Sequence, residues 1–216
     1  MLEKKSSSAA VLALALLLSG PATAAIAWDE SVDGDLSNDP LAPTVLSFVP
    51  GPNDVIGSAG APPGTALAPF KQDFFTFTVP TGYELSALNA VALNHLTADD
   101  VFSFIGIESG PQITHDVSAP NFGGNADGLL GWLHVPFSAQ GTNILPAMGV
   151  PSMGSTGFTG ALGPGQYAVW VQDDDPFSFD YSFQISVPEP STWMMMLVGL
   201  AGLGFVGHRS RASLSV

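Results

Sequence analysis

Phe177-Ser178-Phe179-Asp180-Tyr181-Ser182-Phe183-Gln184-Ile185-Ser186-Val187 decides the fold class. Large apolar side chains hold every odd position and small or polar ones every even position. That period of two belongs to a β-strand with one face in a core and the other in water. Pro188 stops the run, because proline has no N–H to give to a ladder.

The same pattern recurs upstream. Phe75, Phe77 and Val79 alternate with Thr76 and Thr78 until Pro80-Thr81-Gly82. Tyr167, Val169 and Val171 alternate with Ala168, Trp170 and Gln172 after the turn Gly163-Pro164-Gly165. Thr44–Val49, Glu84–Asn94, Val101–Ile107 and Leu129–Val135 are further strand candidates, and Gly, Pro, Asn or Asp punctuates nearly every gap. No helical period stands out between Trp28 and Val187. Seven or eight such strands predict an all-β domain over residues 28–187, a single antiparallel β-sandwich of jelly-roll-like type. Pro120–Asn125 and Thr142–Gly160 read as long loops.

Composition narrows the function classes. Between Trp28 and Val187 the chain holds 17 acidic residues and one basic residue, Lys71. Such a body repels phosphate backbones and anionic lipid, so nucleic acid is not an expected partner. The charge suits soluble export, cation binding or a polymer-rich matrix. The chain has no cysteine, which excludes disulfides, thiolate metal sites, a cysteine nucleophile and lipidation of an N-terminal Cys.

Both ends read as processing signals. Lys4 and Lys5 precede the ten-residue apolar run Ala9–Leu18, and Ser19-Gly20-Pro21 breaks it. Ala22-Thr23-Ala24 and Ala25-Ile26-Ala27 both fit the small-x-small cleavage rule. Residues 1–24 are therefore expected to be a signal peptide, its helix too short to span a bilayer, with cleavage after Ala24 and Ala27 as the alternative. Signal peptidase and the secretion machinery are the partners this implies. At the other end, Pro188-Glu189-Pro190 is followed by an uncharged apolar stretch to Val206 and then by Arg209 and Arg211. A helix over Ser191–Gly207 would be about 25 Å long against a hydrocarbon core of about 30 Å, a short membrane helix with Trp193 at one interface. The arginines would stay on the cytoplasmic side.

This tail resembles the PEP-CTERM sorting signal of Gram-negative bacteria, over residues 188–211. The motif is Pro188-Glu189-Pro190, the helix Trp193–Val206 and the basic end Arg209 and Arg211. The resemblance implies recognition by an exosortase, removal of the tail, membrane attachment before processing, and a place in the cell envelope or extracellular matrix of a Gram-negative bacterium, commonly beside exopolysaccharide and biofilm. A second resemblance lies in the body. Asp73-Phe74-Phe75-Thr76-Phe77-Thr78-Val79-Pro80-Thr81-Gly82, Gly163–Val171 and Phe179–Val187 are similar to strands of bacterial pre-peptidase C-terminal domains. Those are β-sandwich accessory modules, often associated with carbohydrate or protein binding. The insertion between Glu108 and Gly163 departs from their compact pattern.

Candidate chemistry is sparse. Asp33, Asp35 and Asp39 alternate in Asp33-Gly34-Asp35-Leu36-Ser37-Asn38-Asp39, as oxygen ligands for calcium can. The Gly and the bidentate Glu of an EF-hand are missing where Asn38 and Thr44 stand, so the choice is between another type of calcium loop and a solvated acidic turn. Asp173-Asp174-Asp175-Pro176 reads as a hairpin tip with solvated charges or, alternatively, as a cation site. Asp99-Asp100 is a weaker version. His95, His115 and His134 are too scattered in sequence for a strand-borne zinc site. No Gly-x-Ser-x-Gly elbow or comparable motif is present. Trp170 projects from the face opposite Tyr167, Val169 and Val171, either exposed for sugar stacking or covered by Thr142–Gly160; the rarity of a fully exposed Trp favours cover.

The expectation is a non-enzymatic exported surface or matrix protein, sorted by an exosortase and binding polysaccharide or another surface polymer. An envelope polymer hydrolase and a calcium-dependent adhesion module are the alternatives.

Overall fold

The computed structural model describes residues 23–60, 71–94, 103–117, 125–173, 178–187 and 199–200. Among these are nine strands: β1 (Ala25–Asp29), β2 (Thr44–Val45), β3 (Gly51–Gly60), β4 (Asp73–Val79), β5 (Ala87–Asn94), β6 (Ser103–Ser109), β7 (Leu129–His134), β8 (Gly165–Asp173) and β9 (Ser178–Val187). Two single helical turns, α1 (Glu30–Asp33) and α2 (Leu145–Met148), and a 3-10 turn at Phe137–Ala139 lie between the strands or beside them.

The strands form two sheets, one in the order β1-β3-β9-β5 and the other β2-β4-β8-β6-β7. The alternation in β9 does what its sequence demands. Phe179, Tyr181, Phe183, Ile185 and Val187 are buried and meet Phe75, Phe77, Val79, Ile105, Ile107, Val169 and Val171 from the facing sheet. This makes an all-β sandwich with one main core.

Two details differ from the expectation. The sheets are mixed, not antiparallel: β1 pairs with β3 and β2 with β4 in parallel. The chain order explains it. β1 lies in the first sheet, β2 in the second, β3 in the first and β4 in the second, so each parallel pair is joined by a crossing through the opposite sheet, as parallel neighbours require. All other strand pairs are antiparallel. The link between β8 and β9 is likewise no hairpin, because the two strands belong to different sheets.

The second sheet is also buried on its outer side. Phe74, Phe104, Ile113, Ala126, Leu129, Ala168 and Trp170 form a separate apolar cluster there, with Val117 and Trp132 against it. Trp170 is fully buried, so the covered reading holds, but Ile113, Val117 and Ala126 provide the apolar cover. Residues 142–160 border the same cluster: the Trp132 indole N–H donates to Ser152 O at 3.2 Å, Ala126 N–H donates to Met153 O, and Thr156 N–H donates to Leu129 O.

The sandwich has two distinct poles. β3 ends, β4 begins, β5 ends, β6 begins, β8 ends and β9 begins at one of them, called here the loop pole. Ala25 at the start of β1 and Val187 at the end of β9 lie at the other, beside Asn53 and Gly51.

No helix among the described residues is long and apolar enough to cross a membrane. The signal helix and most of the C-terminal apolar helix expected from sequence lie outside the described residues; Gly199 and Leu200 are helical.

Candidate functional site

The lone cation of the body organises the loop pole. Lys71 stands just before β4, bridged through its backbone to Gly60 at the end of β3. Its ammonium lies 2.7 Å from Glu30 Oε2, 3.4 Å from Asp35 Oδ1 and 3.7 Å from Asp73 Oδ1. Glu30 is presented by α1, which forms because the Asp29 carboxylate caps it, accepting from Ser31 N at 3.0 Å. Gly34 ends the turn at φ +91°, a left-handed backbone that glycine adopts without strain. Glu30 then ties three segments together. It accepts from Leu36 N at 2.8 Å, from Ser58 N at 2.8 Å and from Lys71.

Beneath this ion pair sits Asp73, fully buried. Tyr181 donates its hydroxyl hydrogen to Asp73 Oδ2 at 2.9 Å, joining β9 to β4 across the core. Asp73 Oδ1 has no hydrogen bond, only the Lys71 charge nearby. Burial pushes the Asp73 carboxyl up to about 7, the Glu30 charge adds to this, and Lys71 and the Tyr181 hydrogen bond oppose it. Burial also pushes the Tyr181 phenol well above its ordinary value, with Asp73 and Glu30 adding, so Tyr181 remains a neutral donor. Burial alone would lower the Lys71 ammonium, but the Glu30 hydrogen bond and the surrounding carboxylates raise it overall. Gly57, directly opposite Tyr181 on β3, makes room for the ring: a Cβ there would stand 2.6 Å from the Tyr181 oxygen and 3.1 Å from Glu30 Cδ.

A cavity of about 380 Å³ opens beside the cluster. Ile56 and Leu93 give it apolar wall; Asp29, Glu30, Asn94 and Asp180 supply polar groups. Asn94 Nδ2 donates to Asp180 Oδ2 at 3.0 Å. The arrangement favours a neutral or cationic ligand able to donate hydrogen bonds. A second cavity of about 280 Å³, lined by Phe48, Pro50, Pro80, Tyr83 and Val187, lies at the opposite pole.

Of the acidic residues singled out from sequence, Asp33, Asp35, Asp39 and Asp173 are described, and each has its own partner. Asp33 accepts from Asp29 N at 2.9 Å, Asp35 pairs with Lys71, and Asp39 accepts from Leu41 N at 2.9 Å. Asp173 is no solvated loop tip: it is the last residue of β8, fully buried, and accepts from Ser103 Oγ at 2.9 Å. Asp174 and Asp175, like Asp99, Asp100 and His95, lie outside the described residues. Among the described residues, no three His, Asp or Glu side chains are grouped to hold a metal ion. Where Glu30, Asp35 and Asp73 approach one another, the Lys71 ammonium takes the central position. His115 Nδ1 lies 3.0 Å from Asp127 O, and His134 packs edge-on against Phe104 and Trp132. Burial lowers the His134 imidazole from its ordinary value.

Sequence reading passed over the Glu30–Lys71–Asp73–Tyr181 cluster. The usable signal was Lys71 itself: a single cation among 17 acids, two residues before an aspartate at the head of a buried strand.

β9 runs to Val187, and Pro188-Glu189-Pro190 follows directly. The family model for the PEP-CTERM protein-sorting motif matches residues 186–211. The chain carries a PEP-CTERM sorting signal. The PEP-CTERM motif implies export to the cell envelope or the extracellular space and processing by an exosortase. Its match begins at Ser186, so it overlaps the last two residues of β9. No curated protein and no solved structure matches this chain.

Proposed function

We propose that the protein is a non-enzymatic component of the envelope or extracellular matrix of a Gram-negative bacterium. Its leader takes it through the inner membrane, an exosortase sorts it through Pro188, Glu189, Pro190, Arg209 and Arg211, and its sandwich binds polysaccharide or another surface polymer. The observation that carries the reading is the PEP-CTERM match, which begins in the last strand of a compact β-sandwich.

The fold supports a binding module in a further way. Strands β3-β9-β5 over β4-β8-β6-β7 follow a jelly-roll order lacking one strand, and the isolated bridge between Asn89 and Asn143 marks where the eighth would pair with β5. The cavity lies over β3, β9 and β5 in the half of that sheet nearer the loop pole, away from Val187, so it is the face we assign to the polymer.

Replacement of Pro188-Glu189-Pro190 by three alanines in the full chain tests the sorting claim. The expected result is a protein that keeps its tail and is mislocalised. An unchanged processed mass and location would sink it.

A further inference from the structure

The sequence offers two cleavage points for the leader, the expected one after Ala24 and the alternative after Ala27, and both fit the small-x-small rule. The fold distinguishes them. Thr23 and Ala24 lie outside any strand, and β1 begins at Ala25. Ala25 pairs with Asn53, Ile26 with Asp54, Trp28 with Val55 and Asp29 with Ile56, with a bulge at Ala27. Ala27 and Trp28 both pack against the main core. Cleavage after Ala27 would remove the first two ladder pairs and one core contact. It would leave Trp28 as the terminal residue and uncover the edge of β3 at Asn53 and Asp54.

We infer that the mature chain begins at Ala25, by hydrolysis of the Ala24–Ala25 bond. Water breaks that amide, Ala24 leaving as a carboxylate and Ala25 as a free ammonium. This rests on the proposed export reading. The leader peptidase meets the chain before it folds, so both bonds are within its reach. What distinguishes them is the product: only cutting after Ala24 delivers β1 whole. An uncovered β3 edge would be a row of free backbone groups open to pairing with other chains. Three small residues, Ala22, Ala24 and Ala27, thus have different tasks: the first two present the leader to the peptidase, and the third fills a place at the core margin.

The experiment is N-terminal sequencing and intact-mass measurement of the full-length chain after export from a Gram-negative host. An N-terminus at Ala25 is expected. An N-terminus at Trp28, lighter by three residues, overturns the inference and leaves the export reading standing. An N-terminus at Met1 on all of the protein overturns both. Ala24→Tyr provides the second measurement, since a bulky residue there leaves only Ala25-Ile26-Ala27 as a cleavage site. The variant is expected to emerge without β1 whole, or uncleaved; a product that begins at Trp28 should be digested faster by a broad-specificity protease than the wild type. Equal resistance would show that the fold does not need Ala25–Ala27, and the inference would fall.

Discussion

The Tyr181 hydroxyl reaches Asp73 Oδ2 at 2.9 Å, so a strand of one sheet holds the first residue of a strand in the other through a buried neutral donor. Tyr181→Phe keeps the ring and removes that donor. Asp73 would then have no hydrogen bond to either oxygen. Leaving a buried acceptor unsatisfied costs about 1–3 kcal/mol. Urea unfolding of the variant at neutral pH should show a loss in that range, with an unchanged slope against urea.

Asp73 also makes stability depend on pH. Its carboxyl lies at about 7 in the folded protein against 3.8 unfolded, so the folded state binds its proton more tightly. The stabilisation from this group is fully present below about pH 4 and is lost as pH rises through about 7. Integrated over the shift, the difference is on the order of 4 kcal/mol as an upper bound. Asp73→Asn should flatten the stability profile between pH 4 and 7 relative to the wild type. If the variant still lost stability as steeply over that window, Asp73 would not be the titrating group.

Lys71 is the counter-charge for two carboxylates that solvent scarcely reaches. Its partner Glu30 has a side chain 9 % exposed, and Asp73 is fully buried. Lys71→Met keeps much of the stem and removes the charge. Breaking a buried pair from one side typically costs about 3–5 kcal/mol, and the partial exposure of Lys71 places the expected loss near the lower end. Thermal melting at pH 8, where Asp73 is ionised, should show a larger drop than melting at pH 5.

Gly57 is required by Tyr181 rather than by its own backbone. Gly57→Ala would place a methyl group 2.6 Å from the Tyr181 oxygen and 2.8 Å from its Cζ. The ring must move away from Asp73, at a cost of about 1–3 kcal/mol for overpacking. In a double-mutant cycle with Tyr181→Phe, the two losses should be less than additive, because each disturbs the same Tyr181–Asp73 contact.

β4, β8 and β9 were legible because their alternation has a period of two and each is bounded by turn residues. β3 was not, although it is ten residues long and lies between β1 and β9. Gly51-Pro52-Asn53-Asp54 reads locally as a turn, and Gly57 interrupts the alternation for a reason that stands far along the chain, at Tyr181. β1 was hidden for another reason: Ala25-Ile26-Ala27 has the composition of a leader's end. The parallel edges depend on which sheet the chain enters after each strand, and no local pattern records that. The same holds for the site. Lys71 stood out by charge, but its partners Glu30, Asp73 and Tyr181 come from separate elements, and their meeting is a property of the fold alone. Asp173 looked like a solvated acid because two more aspartates follow it; its burial comes from the reach of β8 into the core next to Ser103.

The position of β9 has a mechanical consequence. It is flanked by β3 on one side and β5 on the other, and its end at Val187 is where the sorting signal begins. Tension applied to the chain beyond Val187 therefore runs along the axis of an interior strand. The ladder bonds lie across that axis, so they are loaded together in shear on both sides, from Gly51↔Val187 to Gly60↔Ser178 and from Ala87↔Ser186 to Asn94↔Asp180. An edge strand such as β1 would be held by a single ladder. A domain held by its C-terminal side is thus gripped by the strand best placed to resist being pulled out.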